Sequence, residues 1–157
     1  MSLISRLIAF VFILFLSSIS IFIFPQPTLA ESSNLGVTEN HLAPCPSSPN
    51  CVVSQNGDEK HAIEPIPYRI DRDKAKETLL KVLTVVPRTE VVEETDNYIH
   101  ALSKSRIFKF IDDVEFYFPK DENVIHIRSA SRVGESDLGV NRTRMQQIRL
   151  AMQDLQV

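Results

Sequence analysis

Hydrophobic positions in the second half of the chain follow two periods, one typical of helices and one of strands. From residue 71 to 86 they recur every three or four residues, at Ala75, Leu79, Val82 and Val86. Asp71 or Asp73 is placed to cap such a helix, and Pro87 ends the pattern. The spacing predicts a helix that begins near Asp71 and ends at Val86.

Four segments after Pro87 alternate instead, as strands do. We predict strands at Thr89–Glu94, Tyr98–Ser105, Phe108–Phe118 and Val124–Val133. Tight turns at Asp96-Asn97 and at residues 119–123 join them as two hairpins. The pattern therefore predicts four antiparallel strands.

The last segment returns to helical spacing. Its apolar stripe is Met145, Ile148, Met152 and Leu155, and Arg142, Arg144, Arg149 and Asp154 lie off it. We therefore predict an α+β fold in the order helix, four strands, helix, with both helices on one face of a four-stranded antiparallel sheet.

The N-terminal 30 residues have the pattern of an export segment. Arg6 precedes an apolar run over residues 7–24, and Thr28-Leu29-Ala30 offers small residues for cleavage. We expect either a cleaved signal peptide or a retained membrane anchor at residues 7–24, and an exported protein in both cases. Residues 31–43 are predicted to be a flexible tether and residues 44–157 a single domain.

The chain has two cysteines, Cys45 and Cys51, in a proline-rich stretch predicted to be an irregular wrap from Pro44 to Pro67. Export favours oxidation of thiols, so we predict a structural disulfide. A redox pair and a metal clip are the alternatives. The first lacks Cys-x-x-Cys spacing and the second lacks a nearby His/Cys partner set.

Composition restricts the partners. The formal net charge is −3, so bulk attraction to nucleic acid or anionic lipid is not expected, and an anion site must be local. The sequence lacks a Gly-rich phosphate loop with a following lysine, a nucleophile elbow and a helix with paired histidines. We predict no cofactor, and contact with a membrane only through an uncleaved N-terminal segment.

Strand alternation assigns side chains to the two faces of the second hairpin. Val114, Phe116 and Phe118 share one face, and Asp113, Glu115 and Tyr117 the other. On the next strand Ile125 and Ile127 likewise lie on one face, and His126 and Arg128 lie on the other. The register that joins the apolar residues also sets Asp113 and Glu115 against His126 and Arg128.

The acidic pair has two interpretations. Asp113 and Glu115 are either solvated cross-strand ion-pair partners or a general acid/base pair with coupled titration. Asp112 points to the apolar face, where Ser129, Ser131 or the end of the final helix must donate to it. His100 and His126 lie on strands at no recognisable ligand spacing, so we predict no metal site.

The strongest candidate for binding is a group of basic residues near the final helix. Arg128 and Arg132 share a strand face, and Asn141 and Arg142 begin the helix, whose N-terminus favours an anion. We predict that these four residues bind an anionic group. The alternative is that Asp112, Asp113, Glu115 and Asp137 use the arginines internally.

Several separated motifs resemble one known family. They are CPSSPNCVVSQ, HAIEPIPY, FIDDVEFYF and RSASRVGESDLGVNRTR, and the resemblance spans about Cys45 to Gln153. Together they are similar to the family known as domain of unknown function 1499. The resemblance implies a bacterial, notably cyanobacterial, type of protein with a periplasmic or thylakoid-lumen address, and it implies no activity.

We therefore expect a noncatalytic accessory module that binds a protein partner or a small anion and supports a membrane complex. The first alternative is a small hydrolase or isomerase that uses Asp113 and Glu115 beside the arginines. The second is a redox-responsive structural protein built on Cys45–Cys51.

Overall fold

A computed structural model of the protein describes residues 35–157. The strands are β1 (Val37–Thr38), β2 (His41–Leu42), β3 (Cys51–Val53), β4 (Ile66–Pro67), β5 (Thr89–Glu94), β6 (Tyr98–Lys104), β7 (Ile111–Tyr117) and β8 (Val124–Ser131). The helices are α1 (Arg72–Val85) and α2 (Val140–Asp154). The predicted export segment lies outside the described residues. Over residues 35–157, no helix is long and apolar enough to cross a membrane.

The main sheet is antiparallel and has six strands, in the order β3-β8-β7-β6-β5, with β4 also paired to β8. The prediction of four strands was wrong in number. The wrap between Pro44 and Pro67 supplies the other two, because β8 has a free edge of unpaired backbone groups. Val52 pairs with Ser129, and Ile66 pairs with Ile125 further along the same edge.

The β7–β8 register agrees with the face assignment made from the sequence. Val114 lies opposite Ser129, and Glu115 lies opposite Arg128. The core under the helices contains Val114, Phe116, Phe118, Ile125 and Ile127, all inaccessible to solvent. Alternation was sufficient to predict this because one-residue slippage would expose every one of these side chains.

Both helices pack on this face. The Asp71 side chain caps α1 by accepting from the amides of Asp73 and Lys74, as predicted. In α2 the apolar stripe is Met145, Ile148 and Met152, whereas Leu155 is exposed. Arg144, which the pattern placed off the stripe, is buried against the sheet.

The opposite face of the sheet, which we call the reverse face, is covered in part by the β1–β2 hairpin. Leu42 packs with Val53, Tyr98 and Tyr117, and the backbone amide of Gly36 donates to Glu115. The expectation of a flexible tether over residues 31–43 is thus corrected for residues 36–42. The tyrosine rings of the reverse face need an apolar cover, and this segment supplies it.

Cys45 and Cys51 form the predicted disulfide, with their Cα atoms 5.6 Å apart. Cys51 is the first residue of β3 and is buried. The disulfide therefore fixes the N-terminal segment to the edge of the sheet.

Candidate functional site

Glu115 is the most buried charged residue of the reverse face, with no exposed surface. Its carboxylate accepts hydrogen bonds from the Arg128 guanidinium, the Tyr98 hydroxyl (2.8 Å) and the Gly36 amide (2.8 Å). Burial and the negative charge of Glu115 raise the pKa of Tyr98 well above its usual value. Glu115 is therefore a fully coordinated carboxylate inside the protein.

Asp113 lies two residues earlier on the same face, with its own donors. His100 Nε2 donates to Oδ1 at 2.8 Å, and Arg132 makes paired hydrogen bonds at 2.8 and 2.9 Å. Burial opposes ionisation of Asp113, but the hydrogen bonds from His100 and Arg132 outweigh it and hold its pKa at about 2. Asp113 is consequently ionised in the folded protein at neutral pH.

These contacts limit the chemistry of the two acids. Asp113 and Glu115 have separate sets of donors, so they do not form a pair that shares a proton. A general acid must carry a proton near the working pH, and the low pKa of Asp113 opposes this. Both carboxylates are almost inaccessible to a substrate. The geometry favours structural ion pairs over acid/base catalysis.

A second polar network lies on the helix face, where Asp112 accepts from Ser131 Oγ (2.7 Å) and Arg144 Nη2 (2.6 Å). Ser131 is one of the donors expected from the sequence. Asn141 joins the same network through Ser129, Ser131 and Arg144, and its amide donates to the backbone carbonyl of Asn50. The network ties the start of α2 to the end of β8.

The start of α2 already has an anion of its own. The Asp137 carboxylate accepts from the amides of Gly139 (3.0 Å) and Asn141 (2.7 Å). Arg142 extends away from it and donates to the carbonyls of Lys60 (2.7 Å) and Ala62 (2.8 Å). Asp137 thus satisfies the helix N-terminus that the sequence suggested for a ligand.

The structure distributes the four predicted ligand-binding residues over three places. Arg128 and Arg132 lie on the reverse face, Asn141 is buried between the first turn of α2 and the sheet, and Arg142 contacts the wrap. Each has partners within the protein, and no two of the three arginines share an acceptor within residues 35–157. Anion binding by this set stays a prediction.

A different group of cations converges at one end of the sheet. It lines a cavity of about 410 Å³ between α2 and the β5–β6 hairpin, which we call the basic groove. Its lining is Val86, Pro87, Arg88, Ser103, Lys104, Ser105, Arg106, Leu138, Val140, Thr143, Arg144 and Gln147. Four of these residues are cationic and none is acidic. One of the four, Arg144, is buried and paired with Asp112, and the other three are exposed. The groove therefore offers guanidinium, ammonium, hydroxyl and amide donors to one ligand.

Pairing of β5 with β6 builds one wall of this groove. Thr89 lies opposite Ser103, and Arg88 Nε donates to the carbonyl of Lys104 at 3.0 Å. Arg88, Lys104 and Arg106 are exposed, and none forms a salt bridge within the described part of the chain. Sequence reasoning missed the set. Reflection of the hairpin about its turn at residues 96–97 pairs residue 88 with residue 105, next to Lys104 and Arg106, and this was the signal available in the sequence.

The histidines do not assemble a metal site. Within residues 35–157, no group of three or more His, Cys, Asp or Glu side chains is arranged to hold a metal ion. His126 Nδ1 lies 3.2 Å from the Ser54 hydroxyl. Burial lowers the pKa of His126, which favours its neutral form.

Comparison with known proteins gives a family and no activity. A comparison with the curated proteins finds no match to this chain. The family model described as "Protein of unknown function (DUF1499)" matches residues 41–152, which include the disulfide-stapled edge, the whole main sheet and nearly all of α2. The chain therefore belongs to the DUF1499 family of proteins of unknown function.

Proposed function

We propose that the protein is an exported, noncatalytic accessory module that binds an anionic ligand or an acidic partner surface through the basic groove. The supporting observation is the groove itself, in which the exposed cations Arg88, Lys104 and Arg106 line one cavity without a carboxylate among the lining residues. Arginine side chains suit phosphate and carboxylate because their donors match two oxygens at once.

The exposed cations of the groove differ from Arg128 and Arg132 in one decisive respect. The buried Arg144, which is paired with Asp112, does not share it. Arg128 is neutralised by Glu115, and Arg132 by Asp113. Arg88 and Arg106, by contrast, have no carboxylate partner among the described residues and stand in solvent. An incoming anion therefore has no ion pair to break at these two residues. We therefore place the binding function in the groove and a structural function at Arg128, Arg132, Asn141 and Arg142.

A noncatalytic function is consistent with the burial and the hydrogen bonds of Asp113 and Glu115. The alternative, a hydrolase or isomerase, requires Asp113 or Glu115 to exchange protons with a substrate. Their burial and hydrogen bonds oppose that step. The Cys45–Cys51 disulfide supports an oxidising compartment, and we propose the periplasm or the thylakoid lumen, where the module supports a membrane complex.

The test is a titration of the full chain with inorganic phosphate, in which isothermal titration calorimetry measures the binding. We expect saturable binding that weakens as ionic strength rises. Arg106→Ala should weaken it roughly tenfold, the effect of losing one charge-assisted hydrogen bond of about 1.4 kcal/mol. Arg106→Lys should restore it only in part, because the charge remains but the planar fork is lost.

The matched control is Lys74→Ala, which removes an exposed cation near the start of α1, at the other end of that helix from Arg88. Phosphate affinity should be unchanged in this variant. Equal losses in Lys74→Ala and Arg106→Ala would mean that phosphate responds to net charge alone, and the groove would then have no binding function.

A further inference from the structure

The end of the sheet that carries the basic groove also exposes apolar side chains that have no cover among the described residues. Leu138 is 95% exposed, Ile107 is 76% exposed and Phe108 is 72% exposed. Phe110 is half exposed, and its ring stacks on that of Phe108 with 5.4 Å between centroids rather than on the core. We call Ile107, Phe108, Phe110 and Leu138 the apolar tip.

Chain connections place these residues at one end of the molecule. The β6–β7 loop carries residues 105–110, and the β8–α2 loop carries residues 132–139. The Arg132 amide donates to the Ile111 carbonyl at 3.0 Å, so the two loops leave the sheet side by side. Leu138 and Arg106 line the same cavity. The apolar tip and the basic groove therefore form one surface.

Folding does not explain the apolar tip. Leu138 has a φ of 54°, in the left-handed region that bulky apolar residues rarely adopt, yet its side chain gains almost no burial. Val85, Val133 and Val140 are exposed at the same end. A concentration of exposed apolar side chains marks an interaction surface, whereas single ones need no explanation.

The charges around the tip favour one kind of partner. The exposed cations Arg88, Lys104, Arg106 and Lys109 surround it. The nearby acids are Glu90, Glu135 and Asp137, and the Asp137 carboxylate is already held by the amides of Gly139 and Asn141. Exposed aromatic and aliphatic side chains flanked by lysine and arginine are typical of segments that enter the headgroup region of an anionic bilayer.

We infer that this end of the sheet docks on an anionic membrane surface, with the apolar tip in the lipid interface and the groove cations on headgroup phosphates. A bilayer fits better than a protein partner because the apolar residues lie on two protruding loops, and lipid adapts to that shape. The inference rests on the proposed function in one respect, which is that the groove binds phosphate groups.

The chain contains no tryptophan, so a single introduced one reports on its own site. The full chain carrying Phe108→Trp is added to phosphatidylcholine vesicles with or without phosphatidylglycerol. With phosphatidylglycerol, the emission should shift to the blue and be quenched by brominated acyl chains. Leu155→Trp, an exposed position at the other end of α2, is the matched control and should stay unchanged even if the N-terminal segment anchors the chain.

Electrostatic attraction is tested by adding Arg88→Ala and Arg106→Ala to the Phe108→Trp chain. Each removed cation should weaken docking about fivefold at low salt. Unchanged emission from position 108 on anionic vesicles, or an equal shift at position 155, would overturn the inference. A photoreactive benzophenone at position 108 should form adducts with lipid in native membranes. Adducts mainly with another protein or with a second copy of this chain would overturn it as well.

The same variants separate this inference from the proposed function. Phosphate binding that depends on Arg106, together with a solvent-exposed Trp at position 108, would reject membrane docking and keep the groove as an anion site. The opposite result is also informative. If position 108 enters lipid but phosphate affinity is unchanged in Arg88→Ala and Arg106→Ala, membrane docking by the apolar tip would stand and anion binding by the groove would be rejected.

Discussion

Glu115 illustrates how position decides the role of a charged side chain. Its place on the reverse face followed from strand alternation, which set it against His126 or Arg128, and the structure pairs it with Arg128. The sequence pattern suggested a solvated pair. The structure buries both residues, because the β1–β2 segment and the tyrosine rings cover them. A buried ion pair is costly to break, because the charge that remains is unpaired and is not hydrated by solvent.

This burial changes the expected effect of Glu115→Ala. For solvated Glu115 we would expect a far smaller loss than for Phe116→Ala, whose truncation should cost about 3–5 kcal/mol. With Glu115 buried, we expect Glu115→Ala also to cost about 3–5 kcal/mol, because Arg128 is left unpaired. Urea denaturation of both variants measures this. A cost below about 1 kcal/mol for Glu115→Ala would show that Arg128 finds solvent or another partner.

Asp113 predicts how stability depends on pH. Its pKa is about 2 in the folded protein, against 3.8 for an unperturbed aspartate, so the unfolded chain binds the proton more tightly. The stability it contributes is fully present above about pH 4 and is lost as pH falls through about 2. This contribution of Asp113 to the free energy of unfolding is on the order of 2 kcal/mol.

Denaturation curves of Asp113→Asn and of the unmodified protein at several pH values test this expectation. Asparagine does not titrate, so the variant should be less stable at neutral pH, and the difference should shrink between pH 4 and 2. A difference that stays constant over that range would contradict the assigned pKa.

Among the secondary-structure elements, periodicity predicted the helices and strands that have a repeating hydrophobic pattern. It missed the short strands that form only by pairing with the edge of the sheet. The helix at Arg72–Val85 and the strand at Thr89–Glu94 were predicted to within a residue at each end, because caps, Pro87 and alternation mark their ends. β3 and β4 were missed. They have three and two residues, too few to show a period, and exist because the edge of β8 accepts them.

The disulfide should stabilise that docked edge. We expect the Cys45→Ser/Cys51→Ser double variant to lose about 2 kcal/mol, the entropy of a short closed loop. The Cys51 and Val52 amides should exchange hydrogen faster, whereas those of β6 and β7 should change little. Hydrogen exchange followed by mass spectrometry resolves these segments. Uniform acceleration over the whole sheet would mean that the disulfide supports global folding rather than this edge.

For the whole molecule, the sequence predicted an anion site near the final helix, and we propose a neighbouring site in the basic groove. Arg128 and Arg132 were chosen because they alternate onto one face, but alternation cannot show which acid each one meets. The β5–β6 hairpin brings residues 88, 104 and 106 together, but the basic groove forms only when α2 packs beside the hairpin. Long-range packing of this kind has no local signal.

We propose that Arg132 serves the fold and that Arg106 serves binding, and one paired measurement tests this assignment. Thermal unfolding and phosphate titration are run on Arg132→Ala and Arg106→Ala. We predict that Arg132→Ala lowers the thermal midpoint by several degrees, since Asp113 loses two of its donors, and leaves phosphate affinity unchanged. Arg106→Ala should do the reverse. Weakened phosphate binding in Arg132→Ala with an unchanged thermal midpoint would show instead that Arg132 serves binding and that the anion site lies on the reverse face.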